Sequence, residues 1–353
     1  MKRLVVIATL TAPLVLVSPA SAQFGSLGKA LGKAQQLHDE LTFTEAEEIQ
    51  LGRDISAKLR DKYGVVQDPA IHKYVTLVGT VLAQASSRPK LPWTFIVLDT
   101  DGINAFAAPG GFIHITRGAL ALIQNEAELA DVLGHEISHV TEKHTLNAIT
   151  KSKAISLGAE ATRSDILSQA ADRGYSILLE NKYDRGDELD ADKVGVALAN
   201  RVGYAPTGLA AFLTRLNQRN AGLKEPSGLF ASHPETEARV EALGKVIASG
   251  HLTSTATVAA RYHASVNYPL VAVAGVPQSS ATSAAASSGA SSGLGLSSLS
   301  AVGRERSSNQ TISSAGSRGV NPDRDAKGGP NKALVPVTVT AAEVAAFRKG
   351  IVG

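Results

Sequence analysis

The pattern H-E-x-x-H at His135–His139 constrains this chain more than any other feature. It lies inside a predicted helix that begins with the capping-box pattern Asn125–Glu128 and continues to about Ile149. Side chains four positions apart in a helix lie one turn above each other, so two imidazoles can bind one ion while Glu136 faces the remaining coordination position. The pattern predicts a zinc site; the alternative is a solvated helix face that carries two histidines by chance.

A zinc ion held by two histidines needs a third protein ligand, which leaves one position for water. His144 is unsuitable, because a continuous helix places it about 140° around from His139, and we expect it to be exposed. Glu188 is the better candidate. Asp192 lies one turn further along the same predicted face and can accept the other ring N–H of His135. Without the upstream histidines, an ordinary acidic helix start would be the preferred interpretation.

The start of the chain has the pattern of a secretory signal peptide. Charged Met1–Arg3 precedes the apolar stretch Leu4–Val17 and the small-residue cleavage pattern Ala20–Ala22. This stretch is shorter than the roughly 20 residues that span a bilayer, although an uncleaved anchor is the alternative. We expect a signal peptide at 1–22, no transmembrane segment after its cleavage, and a periplasmic location.

Cysteine content and net charge narrow the possible functions. The chain has no cysteine, so disulfide scaffolds and Cys-ligated metal sites are excluded. Its formal net charge is only +3 and its basic residues are not clustered, which argues against a nucleic-acid partner.

The remaining sequence divides by composition. After a lead segment at 23–43, capping boxes and apolar residues at helical spacing indicate a folded domain at 44–261. A Ser/Gly/Ala-rich stretch at 275–331 is too polar to form a core, so we expect a disordered linker. The end of the chain, 332–353, is expected to form a short strand-helix element.

Along the sequence, predicted helices precede and follow the segments of a small predicted sheet. Three segments rich in strand formers form this sheet, and the last two flank the turn Pro109-Gly110-Gly111 as a hairpin. The predicted strands are 93–98, 104–107 and 112–116, and the predicted helices are 44–63, one that Asp68-Pro69 begins, 125–149, 164–181, 187–202, 206–219 and 234–248.

Four motifs, in the same order, resemble those of the HtpX and Ste-type (CAAX protease) family of zinc metallopeptidases. The motifs are N-A-F-x-x-P-G-G at Asn104–Gly111, H-E-x-x-H at His135–His139, E-x-x-A-D-x-x-G from Glu188, and H-P-x-x-x-x-R at His233–Arg239. The resemblance covers about Thr44 to Lys245 and is greatest to the exported, soluble branch of the family. It implies an α+β fold: a mostly helical, gluzincin-type domain with a small antiparallel sheet bordering the active-site cleft.

The resemblance also implies residue roles. One Zn²⁺ per chain would be held by His135, His139 and Glu188, with Glu136 as the catalytic base. The residues implied to border the substrate cleft are Asn104, Ala105, Phe106, Pro109, Gly110 and Gly111. An extended substrate would pair with the strand before or after the Pro-Gly-Gly turn, unless that turn is only structural.

The last motif leaves alternatives open. By resemblance, His233 fills the fourth zinc position and holds the enzyme latent. Alternatively, it donates a hydrogen bond to the developing oxyanion, a catalytic role for which Arg239 competes. A third interpretation is that His233 only precedes Pro234 at a helix start.

Two functions follow from these expectations. The leading one is an exported zinc endopeptidase that acts in protein quality control on unfolded or misassembled envelope proteins, with outer-membrane proteins among its clients. The alternative is a latent protease-fold assembly factor or holdase that mainly binds client proteins. In either case the C-terminal tail can attach the protein to an envelope complex.

Overall fold

The computed structural model describes residues 42–152, 162–180, 183–221, 236–272 and 330–352. The predicted signal peptide, nearly all of the lead segment and linker, and His233 with Pro234 lie outside these ranges. No described helix is both long and apolar enough to cross a membrane.

The fold is α+β and mostly helical, as predicted. Within the described ranges, the helices are α1 Glu45–Tyr63, α2 Pro69–Ala85, α3 Arg117–Leu122, α4 Glu126–Thr141, α5 His144–Lys151, α6 Arg163–Glu180, α7 Arg185–Val202, α8 Gly208–Asn220, α9 Thr236–Ser249, α10 Ala259–Ser265 and α11 Ala341–Lys349. The strands are β1 Thr94–Leu98, β2 Ala105–Ala108 and β3 Phe112–Thr116.

Local capping interactions fix where the first two helices begin. The Thr44 hydroxyl accepts a hydrogen bond from the Glu47 backbone N–H, and the Glu47 carboxylate accepts one from the Thr44 N–H. At α2, Asp68 accepts the N–H of Ala70, and Pro69 occupies the first helical position, where no N–H is needed. Both starts agree with the sequence-based prediction.

The sheet is mixed, so the expected all-antiparallel sheet is wrong in one of its two pairs. Strands β2 and β3 form the predicted antiparallel hairpin, whereas β1 pairs with β3 in parallel, giving the order β1-β3-β2. All five residues of β3 are buried, which is typical of a central strand. The sequence pattern predicts the strands and the turn, but it does not determine which hairpin strand β1 joins.

The Pro-Gly-Gly turn between β2 and β3 is buried against α1. Gly110 has a φ of 70°, and its N–H donates to the buried carboxylate of Glu48. That carboxylate also accepts hydrogen bonds from Arg88. On the α1 side, a Cβ added to Gly52 would lie 1.8 Å from the Pro109 carbonyl oxygen, so only glycine permits this approach. The turn thus attaches the sheet to α1.

The predicted helix from 125 to 149 is interrupted, and this prediction is wrong at its C-terminal end. Helix α4 ends at Thr141, Lys143 adopts a left-handed conformation with φ 59°, and α5 starts at His144. The new direction buries Leu146 and Ile149. A left-handed non-glycine residue costs about 1–2 kcal/mol, and burying an aliphatic side chain contributes about 1.5–3 kcal/mol, so the burial of these two side chains is large enough to offset that cost.

The C-terminal element contains the predicted helix α11 but not the predicted strand. The segment at 333–340 has no strand assignment, and Pro336 in its middle has no N–H for a ladder. Helix α11 buries Val344. The Phe347 ring lies 3.9 Å from the Arg261 guanidinium and meets the Tyr74 ring edge-on at 6.2 Å.

We expect Phe347→Ala to lower the free energy of unfolding by about 1–3 kcal/mol, because it removes a half-buried ring together with its cation–π contact. Urea denaturation measures this change. Arg348→Ala, at the exposed neighbouring position, is the control and is expected to have the midpoint of the unchanged protein. Equal midpoints for the two variants would show that α11 does not dock on its own chain.

Candidate metal centre

Helices α4 and α7 cross at two glycines, and this crossing determines how close their side chains can come. A Cβ added to Gly134 would lie 2.8 Å from the carbonyl oxygen of Gly195, and one added to Gly195 would lie 2.6 Å from the backbone nitrogen of His135. Because neither position has a side chain, the two backbones are in direct contact. Glu188 lies two turns before Gly195 on α7, facing the histidines of α4.

Three potential metal ligands converge at this crossing. His135 Nε2 lies 3.7 Å from Glu188 Oε2, His139 Nε2 lies 3.5 Å from Glu188 Oε1, and the two Nε2 atoms are 3.0 Å apart. Tetrahedral zinc, with bonds of about 2.0–2.2 Å, places ligand atoms about 3.3 Å apart, so this spacing fits one ion. Within the described residues, the donor atoms of His135, His139 and Glu188 lie close enough together to hold one metal ion.

The charges of the buried side chains also fit a divalent cation. Glu136, Glu188, Asp192 and Arg239 are each at most 2% exposed. With the carboxylates ionised, these four side chains together carry two negative charges. Buried charge is costly unless it is balanced, and an ion of charge +2 between neutral imidazoles balances it.

Asp192 lies beside His135, where the sequence predicts it. His135 Nδ1 is 2.9 Å from Asp192 Oδ1, which leaves Nε2 to face Glu188. Burial alone would raise the pKa of Asp192, but the charges and hydrogen bonds of Arg239 and His135 hold it below its usual value. Asp192 therefore stays ionised and accepts hydrogen bonds.

The Arg239 guanidinium contacts two carboxylates of the buried cluster. Its Nε and Nη2 donate to the two oxygens of Asp192 at 2.8 and 2.6 Å, and its Nη1 lies 3.0 Å from Glu188 Oε2. Burial would lower the pKa of Arg239, but Asp192, Glu188 and Glu136 raise it above its usual value. The contact with Asp192 is bidentate, and the same guanidinium also reaches Glu188.

Tyr183 and Thr145 belong to the site but were not predicted from the sequence. The Tyr183 ring stacks on the His139 ring with centroids 4.2 Å apart, and its hydroxyl lies 2.7 Å from Thr145 Oγ1. Burial, with the nearby charges of Glu136 and Glu188, raises the pKa of Tyr183 well above its usual value. No sequence signal marks Tyr183, because it lies outside the quoted motifs and only tertiary packing brings it to His139.

The residues expected to border the substrate cleft are divided by the sheet topology. Among the described strands, β3 is paired on both sides, whereas β2 pairs only with β3. Of the two strands that flank the turn, only β2 therefore has an edge without a neighbouring strand. Thr145 Oγ1 donates to the Ala107 carbonyl, which places this edge on the Tyr183 side. Asn104, directly before β2, is hydrogen-bonded to Thr116. The Pro-Gly-Gly turn is buried under α1.

His144 is buried, which corrects the expectation that it is an exposed helix residue. The break at Lys143 turns its ring back towards α4, and His144 Nδ1 lies 3.0 Å from His139 Nδ1. The prediction from helix geometry failed because it assumed an uninterrupted helix. His233 lies outside the described residues.

Two imidazoles and a carboxylate on crossing helices, with a glutamate directly after the first histidine, define a metal-dependent hydrolase. The sequence profile described as Peptidase family M48 matches residues 69–247, just over half of the 353 residues. The chain belongs to this family, which confirms the family-level resemblance in the sequence.

Several curated proteins are similar to this chain. The beta-barrel assembly-enhancing protease of Yersinia pestis is 28% identical over 255 residues, covering 66% of this chain and 51% of the relative. The protein of that name in Escherichia coli K12 is 27% identical over 211 residues, covering 56% and 43%. The mitochondrial metalloendopeptidase OMA1 of Schizosaccharomyces pombe is 24% identical over 198 residues, covering 55% and 59%. The chain spans about half the length of these relatives.

We expect Gly195→Ala to reduce both stability and zinc affinity, because the added methyl group meets the His135 backbone and separates α4 from α7. Overpacking of this kind costs about 1–3 kcal/mol. Urea denaturation and competition with a zinc chelator measure the two effects.

Gly244→Ala is the matched control, since Gly244 is an exposed glycine in α9 with open space around it. It is expected to stabilise the protein by about 0.5–1 kcal/mol and to leave zinc affinity unchanged. If Gly195→Ala behaved like this control, the proposed importance of the glycine contact would be wrong.

Proposed function

We propose that this chain is an exported zinc endopeptidase that hydrolyses peptide bonds of unfolded or misassembled envelope proteins, with Glu136 as the general base. The observation that carries the proposal is the convergence of His135, His139 and Glu188 beside Glu136 at one helix crossing. These three residues would hold the zinc ion. When bound, zinc supplies Lewis acidity, which lowers the pKa of a water molecule towards neutrality and polarises a peptide carbonyl.

Glu136 performs the proton transfers. It follows His135 on α4, and its carboxylate lies in the same buried cluster as Glu188, Asp192 and Arg239. The carboxylate takes a proton from the attacking water and later gives it to the leaving amine, so the peptide C–N bond breaks without a covalent enzyme intermediate. Asp192 orients His135, and Arg239 holds both Asp192 and Glu188 in place.

The edge of β2 is the proposed binding site for the substrate backbone. An extended peptide can add to this edge as a further strand, with main-chain hydrogen bonds that tolerate many side-chain sequences. Such pairing requires an extended segment, which favours unfolded proteins and loops over compact domains. Ala105 and the preceding Asn104 would lie along the substrate. At Ala107 the substrate would have to displace the Thr145 hydroxyl, which donates to the Ala107 carbonyl.

The place of action is inferred from two observations. The signal-peptide pattern at 1–22 supports export to the periplasm, and the curated relatives include proteins named beta-barrel assembly-enhancing protease. We therefore infer a role in envelope protein quality control, with outer-membrane proteins as clients. The C-terminal tail, 275–353, is the proposed means of attachment to an envelope complex.

Burial of the site favours one further candidate, a latent protease-fold assembly factor or holdase. His135 is 3% exposed, and Glu136, His139 and Glu188 are each 1% exposed. This low exposure is what a latent site would show. His233 is the residue that we propose as a plug on the fourth zinc position, and its removal by an arriving client would start catalysis.

We expect Glu136→Gln to retain stoichiometric zinc and to lose peptidase activity by about 10²–10⁴-fold, because the amide cannot accept the proton from water. Cleavage of an unfolded outer-membrane protein by the purified full chain, together with its metal content, measures both effects. In cells, the peptidase function predicts that the variant fails to complement a deletion strain.

The control is Glu142→Gln, which makes the same chemical change where α4 ends and should retain activity and zinc. Full complementation by Glu136→Gln would favour the holdase candidate instead. Normal cleavage by Glu136→Gln would contradict the general-base assignment.

A further inference from the structure

His144 is brought to the back of a proposed zinc ligand by the break between α4 and α5. The left-handed residue Lys143 reverses the chain direction, and His144 becomes the first residue of α5. Its ring is buried, and its centroid lies 5.0 Å from that of His139 at an interplanar angle of 75°. The His144 Nδ1 to His139 Nδ1 distance is 3.0 Å, which is a hydrogen-bond distance.

The two nitrogens of His139 face different partners. Nε2 faces Glu188 Oε1 at 3.5 Å and His135 Nε2 at 3.0 Å, whereas Nδ1 faces His144. A neutral imidazole has one N–H donor and one acceptor nitrogen. If Nε2 binds the metal, its lone pair is used there and the proton is on Nδ1. His139 is then the donor and His144 Nδ1 is the acceptor.

This direction also fixes the proton of His144. With Nδ1 as the acceptor, its N–H must be at Nε2, which lies 3.8 Å from Asp187 Oδ1 and 3.7 Å from Asp190 Oδ2. Both carboxylates are on the first turns of α7, the helix that carries Glu188. An N–H directed at two acidic side chains is in a favourable field, so the surroundings of His144 agree with this tautomer.

We propose that His144 is a positioning residue that fixes the tautomer and ring orientation of His139 for zinc binding. The inference rests on the proposed function, in which His139 is a zinc ligand. It gives the two histidine ligands different supports: His135 has the carboxylate of Asp192, and His139 has a neutral imidazole. Tyr183 restrains the same ring from its face.

The test compares His144→Leu with His144→Asn. Leucine fills the site but cannot accept a hydrogen bond, whereas the side-chain oxygen of asparagine can take the place of the imidazole Nδ1. We expect zinc affinity, measured on the full chain by chelator competition, to fall about 10–100-fold in His144→Leu. His144→Asn should stay within about threefold of the unchanged protein.

Cobalt substitution gives a second readout, which reports the geometry of the metal ligands directly. The visible absorption spectrum of the Co²⁺-loaded protein should be altered in His144→Leu and restored in His144→Asn. His263→Leu, at an exposed position on α10, is the control and should match the unchanged protein in both measurements. Unaltered affinity and spectrum in His144→Leu, or equal losses in the leucine and asparagine variants, would overturn the proposal.

His139→Ala separates this inference from the proposed function. If His139→Ala loses zinc while His144→Leu binds it normally, only the role of His144 is wrong. If His139→Ala itself binds zinc with unchanged stoichiometry and affinity, the ligand set is wrong and the proposed function fails with it.

Discussion

The backbone contact between Gly134 and Gly195 is the constraint on which the rest of this site depends. Two helices that approach this closely cannot have side chains at the crossing point, because a Cβ on either glycine would meet the opposite backbone. Glu188 reaches the histidines of α4 from α7 only because the helices are this close. Helix α4 is buried along nearly its whole length, which holds it in place at this crossing. Elsewhere in the fold, the sheet is attached to α1 through Glu48.

Electrostatics explains why so many ionisable groups are tolerated in one buried place. Arg239 pairs with Asp192 and Glu188, and Asp192 contacts His135, so each carboxylate has a cationic or hydrogen-bonding neighbour. Two negative charges remain in this buried cluster, and a divalent cation would neutralise them. The groups that position the ligands are therefore the same groups that make their burial possible, and a change in one affects the pKa of the others.

The sequence predicted the features that local patterns encode. Capping residues placed the starts of α1 and α2, and the H-E-x-x-H spacing in a helix identified His135 and His139 as a pair. Glu188 came from the acidic start of a later predicted helix and from the family resemblance, not from spacing. The parallel pairing of β1 with β3 could not be predicted, since strand order depends on contacts between segments. The break at Lys143 has no glycine or proline to mark it, so His144 was expected on the wrong side of the helix. Tyr183 and the role of Arg239 follow only from tertiary packing.

The most direct test of the central claim is a crystal structure of the purified protein with anomalous diffraction measured on both sides of the zinc absorption edge. We expect one zinc peak per chain, at about 2.0–2.2 Å from His135 Nε2, His139 Nε2 and a Glu188 oxygen. A peak that does not contact all three side chains, or the absence of any peak from protein shown to be active, would contradict it.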